Sequence, residues 1–164
     1  MNLTPIIFST ITGNSFKLAE AASEVIAEHC GPYNISYITD EVIDMFDTFV
    51  LTYWCDKGSA DPYTKALLEK MHGKKIIILG SLGADVNSPY YQQVCQNVEA
   101  LVKKQNTLAG HFLCQGSIDL RRTGKKLKEG NLSLERFEKQ KLSQGHPDEK
   151  DLAALKKAVK GFLA

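Results

Sequence analysis

The sequence carries almost no net charge. Its 20 lysines and arginines stand among 19 aspartates and glutamates, for a formal +1, so no global field of either sign draws the chain to nucleic acid or to an anionic membrane surface. Long apolar runs are missing as well: none approaches the roughly 20 residues needed to cross a bilayer. The N-terminus shows no basic segment ahead of an apolar stretch, and a cytoplasmic protein is expected. Cysteine is scarce and scattered: Cys30, Cys55, Cys95 and Cys114 form no C-x-x-C pair, and no histidine stands at zinc-like spacing from them. Reduced, mostly buried thiols follow. Arg121 lies one residue too far from Cys114 for the C-x5-R loop of a phosphotyrosine phosphatase, which excludes that nucleophile. No repeat or low-complexity tract interrupts the chain, and no second dinucleotide fingerprint is present.

What is there is a domain-sized chain of 164 residues, 43% hydrophobic, long enough to bury about 70% of its unfolded surface. Its most informative stretch runs from Ile6 to Ser15. The apolar residues Leu3 to Phe8 predict a buried strand, which stops in Ser9-Thr10-Ile11-Thr12-Gly13-Asn14-Ser15 before a helical pattern begins. Gly13 permits a tight turn, and Thr10, Thr12, Asn14 and Ser15 offer uncharged donors beside the free N–H groups of the helix they precede. This is the make-up of a phosphate cradle without a lysine or arginine. Several charge-assisted hydrogen bonds, at roughly 1.5 to 3 kcal/mol each, would suffice to hold a phosphomonoester there. The same residue types also build plain strand-to-helix turns, so the loop alone leaves both readings open.

Further along, apolar runs alternate with helical patterns. Leu18, Ala22, Val25 and Ile26 predict one stripe of a first helix ended by Gly31-Pro32, and Tyr33, Ile35 and Tyr37 alternate as a short second strand. Thr48 to Trp54 is a continuous run, as in a strand covered on both faces. Its exit, Cys55-Asp56-Lys57-Gly58-Ser59-Ala60, leads to Asp61-Pro62, an N-cap and first helical residue. Lys75 to Leu79 is a fourth strand ending in Gly80-Ser81-Leu82-Gly83-Ala84-Asp85; Ser88-Pro89 starts another helix, and Leu108 to Cys114 makes a fifth strand. Five strands alternating with helices predict an α/β doubly wound parallel sheet, with any ligand at the carboxyl ends of its strands. Trp54 at such an end would be covered by a planar ligand or is an ordinary core or rim aromatic. The segment 117–145 is basic and poor in apolar residues; it reads as short helices forming either a solvated face or a docking surface for a partner or anionic substrate. His146-Pro147-Asp148 begins a final helix with Leu152, Leu155, Val159 and Phe162 on its stripe.

Thr10-Ile11-Thr12-Gly13-Asn14-Ser15 resembles the Ser/Thr-x-Thr-Gly-x-Ser/Thr phosphate loop of flavodoxins, Thr52-Tyr53-Trp54 the segment that carries an aromatic side chain against their flavin, and Gly80 to Gly83 the loop over the far side of the ring. The resemblance covers residues 1 to about 115 and implies a flavodoxin-like five-stranded parallel sheet of order 2-1-3-4-5, the fold for which FMN at the switch point is a standard example. By the same resemblance FMN would be bound by Thr10, Ile11, Thr12, Gly13, Asn14 and Ser15, by Tyr53, Trp54, Cys55 and Gly58, and by Ser81, Leu82 and Gly83; with Trp54 on one face of the ring, Tyr53, or Tyr90 near the start of the next helix, is a candidate for the other. Flavodoxins often place a glycine after that aromatic, with a carbonyl that turns toward flavin N5. Here Cys55 stands there instead, and the acidic residues of these loops are limited to Asp56, Asp61 and Asp85. A less extreme potential for the fully reduced flavin is expected.

Tyr53 to Gly58, Phe112 to Asp119, and His146-Pro147-Asp148 with Asp151-Leu152 are similar to a narrower group, the short flavodoxin-like accessory proteins associated with flavin-dependent reductases of bilirubin. That resemblance implies an electron carrier for a partner reductase. A small FMN reductase that takes hydride from NAD(P)H directly, and a non-redox accessory that stabilises a partner, are the alternatives.

Overall fold

A computed structural model describes residues 2–164. Five parallel strands form its sheet: β1 (Thr4–Phe8), β2 (His29–Asn34), β3 (Thr48–Asp56), β5 (Lys75–Leu82) and β6 (Thr107–Gln115), in the spatial order β2-β1-β3-β5-β6. A two-residue strand, β4 (Ser59–Ala60), pairs antiparallel with the end of β3. With β4 set aside, this is the order expected from the sequence.

The continuous apolar runs of β3 and β5 serve two faces at once because successive side chains point to opposite sides. Ile76 and Ile78 join Phe49, Leu51 and Tyr53 under α3 (Pro62–Lys70) and α4 (Pro89–Lys103). Ile77 and Leu79 join Ile6 and Val50 under α1 (Asn14–Ser23) and the last helix, α7 (Glu149–Leu163). Leu155 and Val159 of the expected α7 stripe are fully buried there, and Asp148 and Asp151 cap that helix reciprocally. The remaining helices are α2 (Asp40–Met45), α5 (Leu120–Lys128) and α6 (Leu134–Lys141).

Two expectations fail at the sheet's edge. The first helix stops at Ser23, and Val25 and Ile26 pack beyond its end. Gly31-Pro32 is not a terminator but lies within β2, an edge strand paired only with β1, where a missing N–H leaves no ladder bond unmade. Ile35–Tyr37 is a 3-10 turn, not a strand; Tyr37 is exposed, so its alternation with Tyr33 reported no buried face. The thiols also depart from expectation, since only Cys114 is buried and the other three are half-buried. Burial pushes Cys114 up to about 12, which keeps it a neutral thiol, and Arg121 points into solvent on α5.

Tyr53 is locked into the core by a polar chain. Burial raises its phenol well above the usual range, so it keeps its proton and donates to His111 Nε2 at 2.7 Å; His111 Nδ1–H then donates to Glu99 at 3.2 Å. Burial also lowers His111, and the Glu99 carboxylate only partly opposes this. At neutral pH the ring is therefore uncharged, and the fold resists its protonation, while in the unfolded chain it takes a proton below about pH 6.5. Its contribution to stability is present above that pH and is lost as pH falls through it. Urea unfolding between pH 7 and 5 should show stability falling with pH, and His111→Gln should flatten that slope.

The same tyrosine explains Gly80. A Cβ there would lie 2.1 Å from Tyr53 Cζ, so Gly80→Ala should destabilise the protein by about 3 kcal/mol. Gly161, in α7 with nothing within 4 Å, is the control. Gly161→Ala should leave the unfolding midpoint unchanged or raise it, by up to about 1 kcal/mol.

Candidate functional site

The loop between β1 and α1 has the form of an anion cradle. Gly13 occupies the N-cap with φ +94°, in the left-handed region that favours glycine. Thr10 Oγ1 accepts from Gly13 N–H at 2.9 Å and closes the turn. The first intrahelical bond is Lys17 N–H to Gly13 O, which leaves the N–H groups of Asn14, Ser15 and Phe16 without helical acceptors at the positive end of the helix dipole. Ile11 and Thr12 are exposed, so the mouth of the loop is open. Asn14 departs from the expected role, because its side-chain amide donates to the Ser117 carbonyl at 3.0 Å.

The floor beneath this loop is built around Asp61, which the sequence marked only as a helix cap. It is fully buried. Its Oδ1 accepts from Ser9 Oγ at 2.8 Å and from the N–H groups of Tyr63 and Thr64, and its Oδ2 accepts from Thr64 Oγ1 at 2.9 Å and Trp54 N–H at 3.3 Å. One carboxylate thus fastens the exit of β1, the end of β3 and the start of α3. Thr52 adds a second tie by donating from Oγ1 to Ser15 O at 2.9 Å. No pattern in the sequence distinguished Asp61 from any other N-cap, because Ser9 and Trp54 come to it only through the fold.

A second part of the site is a cleft of about 1000 Å³ at the carboxyl ends of β3, β5 and β6, at the upper end of the range for small-molecule pockets. Cys55, Leu82, Gly83 and Tyr90 line it, as do Asp85, Gln115 and Ile118; Arg136, Lys139, Gln140 and Leu142, at and just beyond α6, form the opposite wall. Burial raises the Cys55 thiol, and it sits 3.7 Å from Tyr90 Oη. At neutral pH it is a protonated side chain, not a nucleophile.

The expected residues therefore divide. Thr10 to Ser15 form the cradle, and Cys55, Leu82, Gly83 and Tyr90 reach the cleft. Tyr53 does not: it is fully buried and bonded to His111, so it cannot stack on a ligand. Ser81 is 2% exposed and packs beneath Gly116, outside the cleft. Gly58 is also displaced from its expected role. The exit of β3 is a two-residue hairpin with positive φ at Lys57 and Gly58, and the Gly58 carbonyl accepts from Asn97 Nδ2 at 2.8 Å. Trp54 is half-buried near the end of β3, pairs with Ser81 across β3 and β5, and is not among the residues lining the cleft. Missed from the sequence were Asp61 as a hub and the α6 residues, whose charge and polarity read as a solvated surface.

Among the described residues, three buried side-chain polar atoms lack a hydrogen-bond partner: Ser15 Oγ in the cradle, Trp54 Nε1 at the end of β3, and Gln140 Oε1 on the cleft wall. Such atoms are few in native proteins because each costs about 1–3 kcal/mol. Of the three, two are donors and one is an acceptor.

Removing the hub should be costly. Asp61→Ala leaves buried donors unpaired and uncaps α3, so a loss of about 3 kcal/mol or more is expected in urea unfolding. Pro62→Ala, which keeps every Asp61 contact, should cost far less.

No helix among the described residues is long and apolar enough to cross a membrane. The chain is 32% identical over 155 residues to the flavodoxin-like domain-containing protein BilS of Clostridioides difficile strain CD3, covering 90% of this chain and 88% of that one. It is 27% identical over 129 residues to the protein of the same name from Clostridium symbiosum strain WAL-14163, covering 69% and 67%. Its fold matches oxidised flavodoxin 1 from Bacillus cereus, with a TM-score of 0.63 at 12% identity over 99% of this chain and 97% of that one. A flavodoxin from the domain Archaea matches with a TM-score of 0.57 at 13% identity, over 97% and 94%. The flavodoxin domain family matches residues 5–160, and with sheet order, cradle and cleft in agreement the chain belongs to that family.

Proposed function

We propose that the chain binds FMN and carries electrons to a partner reductase, the partner implied by the resemblance being a flavin-dependent reductase of bilirubin. The observation that carries this reading is the open helix-N-terminal cradle between β1 and α1, in a sheet whose strand ends also form a large cleft. The free N–H groups at the start of α1, with the exposed Thr12 at the mouth of the loop, form a donor set for a phosphate, and the cleft at the carboxyl ends of β3, β5 and β6 has the volume for a planar ring. No cation is needed at the phosphate, since the helix terminus supplies oriented N–H dipoles.

Within this reading Thr10, Thr12 and Ser15 hold the phosphate and Gly13 lets the backbone approach it. Trp54 and Tyr90 shield the ring from water, each contributing about 0.5–1.5 kcal/mol beyond buried area. FMN supplies the redox chemistry, and the protein orients it and sets its electrostatics. The Gly58 carbonyl is tied to Asn97 and Cys55 is held in the β3–β4 hairpin. A peptide rotation beside the ring is thus not part of the reading. Asn14, bonded to Ser117, ties the cradle to the segment that follows β6.

Reconstitution tests the proposal. The purified protein mixed with FMN should quench flavin fluorescence and stay yellow after desalting. Thr12→Glu should abolish retention through like-charge repulsion at the open mouth, with far-UV circular dichroism unchanged. A colourless protein indifferent to added FMN would end the redox reading.

A further inference from the structure

The hairpin α5–α6 has an uncommon attachment to the fold. Its two ends are stitched to each other: Ser117 N–H and Oγ both donate to His146 O at 2.7 Å, Ile118 N–H donates to Ser143 Oγ at 3.0 Å, and Gln144 Nε2 donates to Ile118 O at 2.9 Å. Between these stitches α6 has no buried residue, so core formation does not account for its position. Yet Arg136, Lys139 and Gln140 all line the cleft. They stand at i, i+3 and i+4, one face of one turn. Gln140 Oε1 is shielded from water and has no hydrogen-bond partner.

We propose that α6 is the outer wall of the flavin-ring pocket, and that Arg136 and Lys139 on it favour the reduced, anionic ring over the oxidised one. The proposal rests on the FMN reading and says what this chain adds to it. Two-electron reduction with uptake of one proton leaves the ring with one more negative charge than before. In the titration below dithionite supplies both electrons and solvent supplies the proton. Of the charged residues lining the cleft, Asp85 is negative and Arg136 and Lys139 are positive. Two further acids stand behind the lining: Asp56, whose charge acts on Cys55 and Tyr90, and Asp61, buried with both oxygens hydrogen-bonded to uncharged donors. Lys139 lies 3.5 Å from Glu135, but both side chains are largely exposed, and such a pair is weak. Arg136 has no carboxylate partner among the described residues within 4 Å. On the lining itself, two cations thus stand against one acid, and both cations are on α6.

The test is a dithionite titration at pH 7 of the FMN-bound protein, read by absorbance against a reference dye. Arg136→Gln with Lys139→Gln should weaken preference for the reduced ring about tenfold, which lowers the two-electron midpoint by about 30 mV. Lys126→Gln with Lys128→Gln, equally exposed but on α5 and off the cleft, should leave the midpoint in place. In the unaltered protein the midpoint should fall as the Debye length shrinks from about 30 Å at 0.01 M salt to about 3 Å at 1 M. An unmoved midpoint in the cleft pair, or an equal drop in the control pair, overturns the role of α6 while the FMN reading stands. Failure of the unaltered protein to take up FMN overturns both.

Discussion

A single buried carboxylate makes the upper edge of this sheet one piece. Asp61 accepts hydrogen bonds from Ser9, Trp54, Tyr63 and Thr64, so it joins the last turn of the first strand, the end of the central strand and the cap of the following helix. Burying an unpaired carboxylate would be prohibitive; burying one whose two oxygens are filled by fixed donors converts that cost into positional accuracy. Everything proposed for the site depends on it. Ser9 leads directly into the cradle, and the Trp54 backbone sets where the indole stands relative to it.

The period of a strand decides the rest of the division of labour. Tyr53 and Trp54 are neighbours in sequence and therefore face opposite sides of β3. Tyr53 points into the core over Gly80, where its hydroxyl is satisfied by His111. Trp54, on the other side of the strand, is left half-buried near the end of β3. The two aromatics look interchangeable as ligand contacts on paper, and the pleat makes only one of them available.

Beyond β6 the chain leaves the sheet, runs through α5 and α6, and returns to a point beside its departure. The stitches between Ser117 or Ile118 and residues 143–146 fix that excursion at its neck, while Asn14 ties the neck to the phosphate loop. The cleft and the cradle thereby share a boundary, Ser117-Ile118: Asn14 holds the Ser117 carbonyl, and Ile118 packs where a Cβ on Gly83 would stand. A flavin held by the cradle would have its ring bounded by a helix rich in cations.

Much of this was legible from residues alone, where local chemistry is self-sufficient. The apolar runs of β3 and β5, the Asp61-Pro62 and Ser88-Pro89 helix starts, the glycine turn of the cradle and the α7 stripe each depend on a period or a cap spanning only a few positions. Edge strand β2 was misread because Gly-Pro signals termination unless the strand has a free side, and only the sheet order shows that it does. Asp61 as a hub, the retirement of Tyr53, Ser81 and Gly58 from the cleft, and the approach of α6 to it were decided by tertiary structure. Each depends on contacts between residues far apart in the chain, as with Ser9 and Asp61 or Tyr53 and His111, and a linear pattern encodes what a residue prefers, not which distant partner will satisfy it.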